Sequence, residues 1–236
     1  MRLLYEGKAK RVYETDNPDQ VQVEFKDSAT AFNGQKRADI DGKGAVNAAV
    51  SARLFAWLEE HGLETHFLEQ IDEQNLLVEK LTMIGLEVVV RNWVAGSLNQ
   101  RTGLDEGTPL DVPVLECYYK NDALGDPLLN DDHIRLLGLA SPDLVARLRQ
   151  EALRINQVLT PFFLDRGIVL VDFKLEFGWN RDGALKLGDE ISPDTCRLWD
   201  KTSGERLDKD RFRRDLGGVE DAYQEIYRRV MMTAHA

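Results

Sequence analysis

Asp172, Lys174 and Glu176 alternate with Val171, Phe173, Leu175 and Phe177 in the run LVDFKLEFG at residues 170–178. That is the period of an extended strand, whose successive side chains point to opposite faces. One face is apolar and the other carries three ionisable groups. The sequel Gly188-Asp189-Glu190-Ile191-Ser192-Pro193-Asp194 adds three carboxylates. Between the two, Asp182-Gly183 is a preferred dipeptide for a two-residue hairpin turn. Counted outward from such a turn, Arg181 faces Ala184, Asn180 faces Leu185 and Glu176 faces Asp189, with Cβ atoms about 5 Å apart. Two carboxylates that close repel unless one is protonated or a cation sits between them. Oxygen-only ligation suits Mg²⁺, which keeps waters and takes phosphate oxygens as its remaining ligands. The reading is a Mg-nucleotide site; the alternative is a solvated hairpin with ordinary charges, and a one-residue register slip would undo the pairing.

Two further stretches carry cations suited to an anion. Tyr5-Glu6-Gly7-Lys8-Ala9-Lys10-Arg11-Val12-Tyr13 reads as two short strands meeting at Gly7, with Lys8 and Lys10 on one face. A glycine hairpin with paired lysines can lie over polyphosphate, the backbone approaching where there is no side chain. An exposed edge hairpin guarded by solvated lysines is the other reading. Leu86-Glu87-Val88-Val89-Val90-Arg91 is a buried strand ending at Arg91, and it runs through Asn92-Trp93-Val94-Ala95 into the turn at Gly96-Ser97. A forked guanidinium beside a hydroxyl and concave backbone N–H groups suits a phosphate; Arg91 capping a neighbouring carboxylate is the alternative. Arg197, three residues past Asp194, is a second candidate anchor for a phosphate or carboxylate. The arginines near the C-terminus read as surface charge.

Absent motifs narrow the chemistry. The spacing G-x-x-x-x-G-K-[ST] does not occur, and Asn47 stands where a dinucleotide fingerprint beginning at Gly42 would need its third glycine. Neither G-x-S-x-G nor H-E-x-x-H is present, and His61, His66, His133 and His235 lack ligand spacing, so hydrolase and zinc readings fall away. Cys117 and Cys196 have no short pairing motif and read as reduced thiols.

Several elements must hold these residues. Strands are expected at 21–25, 67–71 and 76–81, and a helix from about Lys43 with Val46, Val50, Leu54, Trp57 and Leu58 on one stripe, closed by Gly62. The pattern breaks over residues 80–85, which places a domain junction and a ligand cleft there. Residues 101–133, with Pro109, Pro113 and Pro127, read as loop-rich. Ser141-Pro142-Asp143 starts a long helix with Leu144, Leu148, Ala152, Ile155 and Leu159 as its stripe and a kink expected at Pro161. A last helix is expected from about 219 to 232. The 236 residues suffice for one large domain or two sharing a cleft, and 43% apolar with 30% charged is ordinary for a soluble protein. The net charge of −11, from 41 acidic against 30 basic residues, disfavours nucleic acid as a partner. No apolar run is long enough for a signal peptide or a membrane span, so a cytoplasmic protein with no membrane partner is expected.

At residues 170–178 the sequence resembles a signature of the SAICAR synthetase (phosphoribosylaminoimidazole-succinocarboxamide synthase) family of purine biosynthesis, and Arg91-Asn92-Trp93-Val94-Ala95-Gly96-Ser97 resembles the other. The likeness extends through Tyr5-Glu6-Gly7-Lys8-Ala9-Lys10, Lys120-Asn121-Asp122, Gly188-Asp189-Glu190, Ser192-Pro193-Asp194, Arg197-Leu198-Trp199-Asp200 and Asp210-Arg211-Phe212-Arg213.

The resemblance implies an ATP-dependent ligase that joins carboxyaminoimidazole ribonucleotide to L-aspartate with Mg²⁺ as cofactor, giving SAICAR, ADP and phosphate through an acyl phosphate. It implies a two-lobed α+β or α/β fold: a small β-rich lobe at 1–82, like the nucleotide lobes of kinase and ATP-grasp proteins, on a larger α/β domain at 83–236, commonly as a homodimer. Carried over position by position, Lys8, Ala9, Lys10 and Val12 cover the ATP phosphates and ring, and Glu79, Leu81 and Met83 meet adenine. Glu176 and Asp189 hold Mg²⁺. Arg91, Ser97 and Arg197 bind the ribonucleotide, with Asp172, Lys174 and Asp194 around its imidazole and carboxylate; Lys174 and Asp172 are the catalytic candidates. Asn33 stands where many relatives carry a carboxylate. Two alternatives belong to other classes: a kinase-like small-molecule phosphotransferase, and a nucleotide-binding module without turnover.

Overall fold

A computed structural model describes residues 2–31 and 36–232; Asn33 and His235 lie outside these. The chain opens with strands β1 (Leu3–Glu6), β2 (Lys10–Glu14), β3 (Gln20–Phe25), β4 (Ser28–Ala31) and β5 (Lys36–Asp39). Helix α1 (Lys43–Glu60), β6 (Phe67–Gln70), β7 (Asn75–Glu79) and β8 (Thr82–Trp93) follow. Then come α2 (Ser97–Thr102), β9 (Pro109–Tyr119), β10 (Leu128–Leu129), α3 (Asp131–Leu136) and α4 (Pro142–Leu164). The last elements are β11 (Ile168–Trp179), β12 (Leu185–Leu187), β13 (Cys196–Asp200), α5 (Asp210–Arg213) and α6 (Val219–Met231).

One sheet has the order β1-β2-β3-β7-β6, a second β10-β9-β8-β11-β12 with β13 also paired to β11, and β4 and β5 form a separate two-stranded sheet. Their ladders are antiparallel, so the helices pack beside antiparallel sheets and the mixed class takes its α+β form. The five-stranded sheet buries Val21, Val23, Phe25, Leu76 and Val78 against Ala48 and Ala52 of α1. The opposite side of α1, through Val46, Val50, Leu54, Phe55 and Leu58, joins the larger core of β8, β11, α4 and α6. Its small residues thus face one sheet and its large ones the other, so α1 contributes to both cores.

The long helix forms as its sequence signals require. The Ser141 hydroxyl accepts from the Leu144 N–H at 3.2 Å and Pro142 fills the first turn; Leu148, Ala152, Ile155 and Leu159 are buried while Leu144 is half-exposed. Pro161 lies inside the last turn and the helix continues to Leu164. The stretch expected to be loop-rich is largely strand, since β9 runs eleven residues through Pro109 and Pro113. The prolines are tolerated because β10 pairs only with Cys117 and Tyr118, leaving the first part of β9 with a free outer edge.

The central hairpin departs from the expected two-residue turn. Asn180 N–H donates to Ala184 O at 3.0 Å across a three-residue loop in which Gly183 is left-handed (φ 77), the arrangement that a three-residue hairpin favours. The ladder pairs Phe177 with Leu187 and Trp179 with Leu185, one residue out from the expected register. Glu176 therefore lies across from Gly188, whose N–H donates to Glu176 O at 2.9 Å.

Candidate active site

Three neighbouring strands set the site by register. Asp172 of β11 pairs with Arg91 of β8 on one side and Arg197 of β13 on the other. Since directly opposed residues share a face, the order guanidinium, carboxylate, guanidinium follows. Arg91 Nη1 lies 2.6 Å from Asp172 Oδ2, and Arg197 Nη1 lies 2.9 Å from the same oxygen. Arg91 Nε also holds Glu116 at 2.7 Å, and its Nη2 donates to Ser97 Oγ at 3.0 Å and Tyr118 OH at 3.1 Å. Arg197 Nε holds Asp210 at 2.8 Å. The carboxylate-capping alternative for Arg91 is thus realised, but the same residue also lines the large cavity.

Four residues along β11, Glu176 faces Glu87 of β8. Lys174 Nζ lies 3.0 Å from Glu87, 2.5 Å from Glu176 and 3.5 Å from Asp189. Lys120 reaches Glu176 at 2.6 Å from the loop after β9. Lys10 pairs with Asp189 and, at 2.9 Å, with Glu190. Four carboxylates thus share three ammonium groups. Asp189 joins Glu176 in spite of the shifted register because the chain leaves β12 after Leu187 and turns at Asp189 itself, which is left-handed (φ 56). Aspartate tolerates that conformation better than most residues.

The charged face of β11 is buried rather than solvated: Asp172 is 3% and Glu176 2% exposed. Burial and the neighbouring Asp189 push the Glu176 carboxyl above its ordinary range. Burial would push Asp189 the same way, but Lys10 and Lys174 overcome it and hold that carboxyl far below. Lys174 is driven well above an ordinary lysine: burial opposes its charge, and Glu176, Asp189 and Glu87 outweigh burial. It is a fixed cation, not a proton acceptor.

These residues line one cavity of about 930 Å³, large enough for a nucleotide with a second small molecule. Lys8, Ala9, Lys10, Val12, Glu79, Leu81, Met83, Arg91, Asp172, Lys174, Glu176, Asp189, Asp194 and Arg197 all lie on its wall. Ser97 does not line it and touches the site through Arg91. Lys8 reaches Asp122 at 2.8 Å, linking the first hairpin to the loop after β9. Glu79 is held by Lys186 at 2.5 Å and Asn180 at 3.0 Å. Asp194 is engaged on both oxygens, by Lys43 Nζ at 2.9 Å and Tyr223 OH at 2.5 Å.

The donor set fits a hard divalent ion. Glu176 and Asp189 offer only oxygen and already converge on one ammonium. Among the described residues no group of three or more His, Cys, Asp or Glu is placed to hold a metal ion by itself; a Mg²⁺ held by these two carboxylates would take waters and phosphate oxygens as its other ligands.

Several cavity residues escaped the sequence reading. Glu87 shares with Arg91 the two-residue period used for β11, so the same argument extended along β8 finds it. Lys120, Glu190, Lys209 and Arg213 carry no such local signal; Arg213 was expected on the surface but lines the cavity and holds Asp210 at 2.7 Å. His66 also lines the cavity, buried, with no hydrogen-bond partner for Nε2 among the described residues; burial pushes its pKa down to about 4, so the imidazole is neutral.

Gly96 is needed where it stands. Its φ is 54, and a Cβ there would sit 2.5 Å from Arg197 Nη2. Gly96→Ala is expected to strain the turn by about 1–3 kcal/mol and to push Arg197 off Asp172. Its signature would be a lower melting temperature with a raised KM for whichever substrate Arg197 holds, and unaltered values of both would show that the turn adapts.

The comparisons with known proteins agree. The family profile described as SAICAR synthetase matches residues 3–230. A phosphoribosylaminoimidazole-succinocarboxamide synthase of Bacillus mycoides is 55% identical over 235 residues, covering 100% of this chain and 98% of the relative. A SAICAR synthetase crystallised in complex with ADP superposes with a TM-score of 0.94 at 50% identity, over 98% of this chain and 99% of that one. The phosphoribosylaminoimidazole-succinocarboxamide synthase from Ehrlichia chaffeensis has a TM-score of 0.94 at 43% identity, with coverage of 97% and 98%.

Proposed function

The chain belongs to the SAICAR synthetase family, and from that premise we propose how its residues perform the family's reaction. It is an ADP-forming carbon–nitrogen ligase of purine biosynthesis that uses ATP to join carboxyaminoimidazole ribonucleotide to L-aspartate. A carboxylate is a poor electrophile at neutral pH, so the ribonucleotide carboxylate first takes a phosphoryl group from ATP. The aspartate amine then attacks the acyl phosphate and phosphate leaves.

The observation that carries this reading is the shared cavity: Glu176 and Asp189 converge on Lys174 beside the Arg91–Asp172–Arg197 row. Lys8, Ala9, Lys10 and Val12 cover the nucleotide, and Glu79, Leu81 and Met83 meet adenine at the junction between the sheets. Glu176 and Asp189 would hold Mg²⁺, which supplies positive charge to the phosphate oxygens. Lys174 neutralises charge growing on the transferring phosphoryl group. Arg91 and Arg197, oriented by Asp172, hold the ribose phosphate, with Ser97 acting through its hydrogen bond to Arg91, and Asp194 bounds the imidazole end. We divide the chain at residues 82 and 83, with α1 as the shared element, and extend the proposal to a homodimer, checked by sedimentation. No helix among the described residues is long and apolar enough to cross a membrane, and a cytoplasmic location suits a biosynthetic enzyme.

Measuring ADP release with each substrate omitted in turn tests the reading. Sustained release, beyond one equivalent per site, only when ATP, ribonucleotide and aspartate are all present is expected. Sustained release without aspartate would favour the kinase-like alternative, and none under any condition would favour a binding module.

Arg91→Lys keeps a charge for Asp172 but loses the fork that can hold two partners at once. It is expected to raise KM for the ribonucleotide at least about tenfold, in line with ~1.4 kcal/mol per decade, and to leave KM for ATP nearly unchanged. Equal effects on both would misplace the phosphate site.

A further inference from the structure

Lys10, Lys120 and Lys174 are each locked onto carboxylates in the cavity. Lys209 is different. Its side chain is 12% exposed and lines the same cavity, yet among the described residues its nearest carboxylate oxygen, Asp194 Oδ2, is 3.6 Å away, beyond hydrogen-bond reach. That oxygen already takes Lys43, and Tyr223 occupies the other.

The frame around Lys209 is rigid. Its N–H donates to Pro193 O at 3.1 Å and its carbonyl accepts from Arg213 N–H at 3.0 Å. Asp208, fully buried, accepts the N–H groups of Leu198 and Asp210, both at 2.7 Å. The Lys209 side chain is therefore held at the cavity wall, within ion-pair range of Asp194 at 3.6 Å and, among the described residues, with no hydrogen bond to its Nζ.

We propose that Lys209 Nζ accepts the proton that the incoming ammonium group must lose before its nitrogen attacks the activated carboxyl carbon; this rests on the ligase reading above. The substrate enters as an ammonium ion and gives one proton to the free amine of Lys209. Its nitrogen then bonds to the carboxyl carbon and the bond from that carbon to the phosphate oxygen breaks. A second proton leaves the nitrogen with the departing phosphate, and Lys209 returns its own to solvent. Burial pushes the Lys209 ammonium below its ordinary value; Asp194 and Glu190 pull it back, while Arg213 and Lys43 add to the push. Lys10, Lys120 and Lys174 are moved the opposite way by their carboxylates, so Lys209 alone of these four is biased toward a free amine. Tyr223, which faces the group through Asp194, stays protonated.

The test compares the full-length protein with Lys209→Met and Lys209→Arg, the second keeping charge and bulk but offering no base. ADP-induced thermal stabilisation shows that each is folded. The wild-type kcat, at saturating substrates, should fall with unit slope on the acid side. Both variants should lose about 10²-fold or more in kcat, with KM for aspartate changed less than threefold and no acid limb ending in a plateau. A kcat lowered at least tenfold together with loss of that limb supports the proposal. A limb that persists in Lys209→Arg, or a loss confined to KM for aspartate, overturns it. Sustained wild-type ADP release without aspartate would instead sink the ligase reading, so the two failures are distinguishable.

Discussion

Replacing Lys174 with methionine is expected to lower the rate of ADP release with all three substrates present by about 10³-fold or more, the range seen when a cation serving a transferring phosphoryl group is removed. The side chain touches three carboxylates on three strands or turns: Glu87 of β8, Glu176 of its own strand and Asp189 after β12. Its charge is fixed by them, so its contribution is electrostatic and does not depend on moving a proton. Without it, Lys10 and Lys120 alone face four carboxylates, and a triphosphate arriving there would meet a net repulsive wall. Part of the loss will be in stability, since removing one partner of a buried ion pair costs about 3–5 kcal/mol. The kinetic measurement is therefore made at a temperature where the melting curve shows the variant folded. A folded variant within tenfold of the wild-type rate would remove Lys174 from the chemistry.

Glu176→Gln is the second large effect. Glutamine keeps the shape and one carbonyl oxygen but removes the charge that answers both Lys120 and Lys174. The Mg²⁺ concentration needed for half-maximal rate should rise about 10- to 100-fold, a typical penalty for disturbing a metal site, and turnover at low millimolar Mg²⁺ should fall accordingly. Titrating Mg²⁺ at saturating ATP, ribonucleotide and aspartate measures this directly. An unchanged Mg²⁺ dependence and rate would show that Glu176 is not a ligand and that its burial between two lysines is structural.

The hairpin shows how far local pattern can be trusted. Alternation along residues 170–178 placed Asp172, Lys174 and Glu176 on one face correctly, because side-chain direction in a strand depends only on the backbone. The turn was misjudged by one residue: Asp182-Gly183 suits a two-residue loop, but the chain uses three, with Gly183 at the left-handed position. That slip should have turned Asp189 away. It did not, because Asp189 adopts a left-handed backbone past the end of β12, where Lys10 and Lys174 draw its carboxylate inward. The right pair came from a register that the fold does not use.

By itself, the sequence determined the strands and helices with clear periods, the N-cap of α4, the apolar stripe of α1 and, through its motifs, the family. Tertiary structure alone decided that the polar face of β11 is buried, that Arg91 and Arg197 share Asp172, and that Lys120, Lys209 and Arg213 enter the same cavity. The reason is distance along the chain. Periodicity reports how each residue faces relative to its immediate neighbours, whereas these contacts join residues such as Lys10 and Asp189 or Lys43 and Asp194, 179 and 151 positions apart. The ionisation of each group depends on which charges those long-range pairings bring against it.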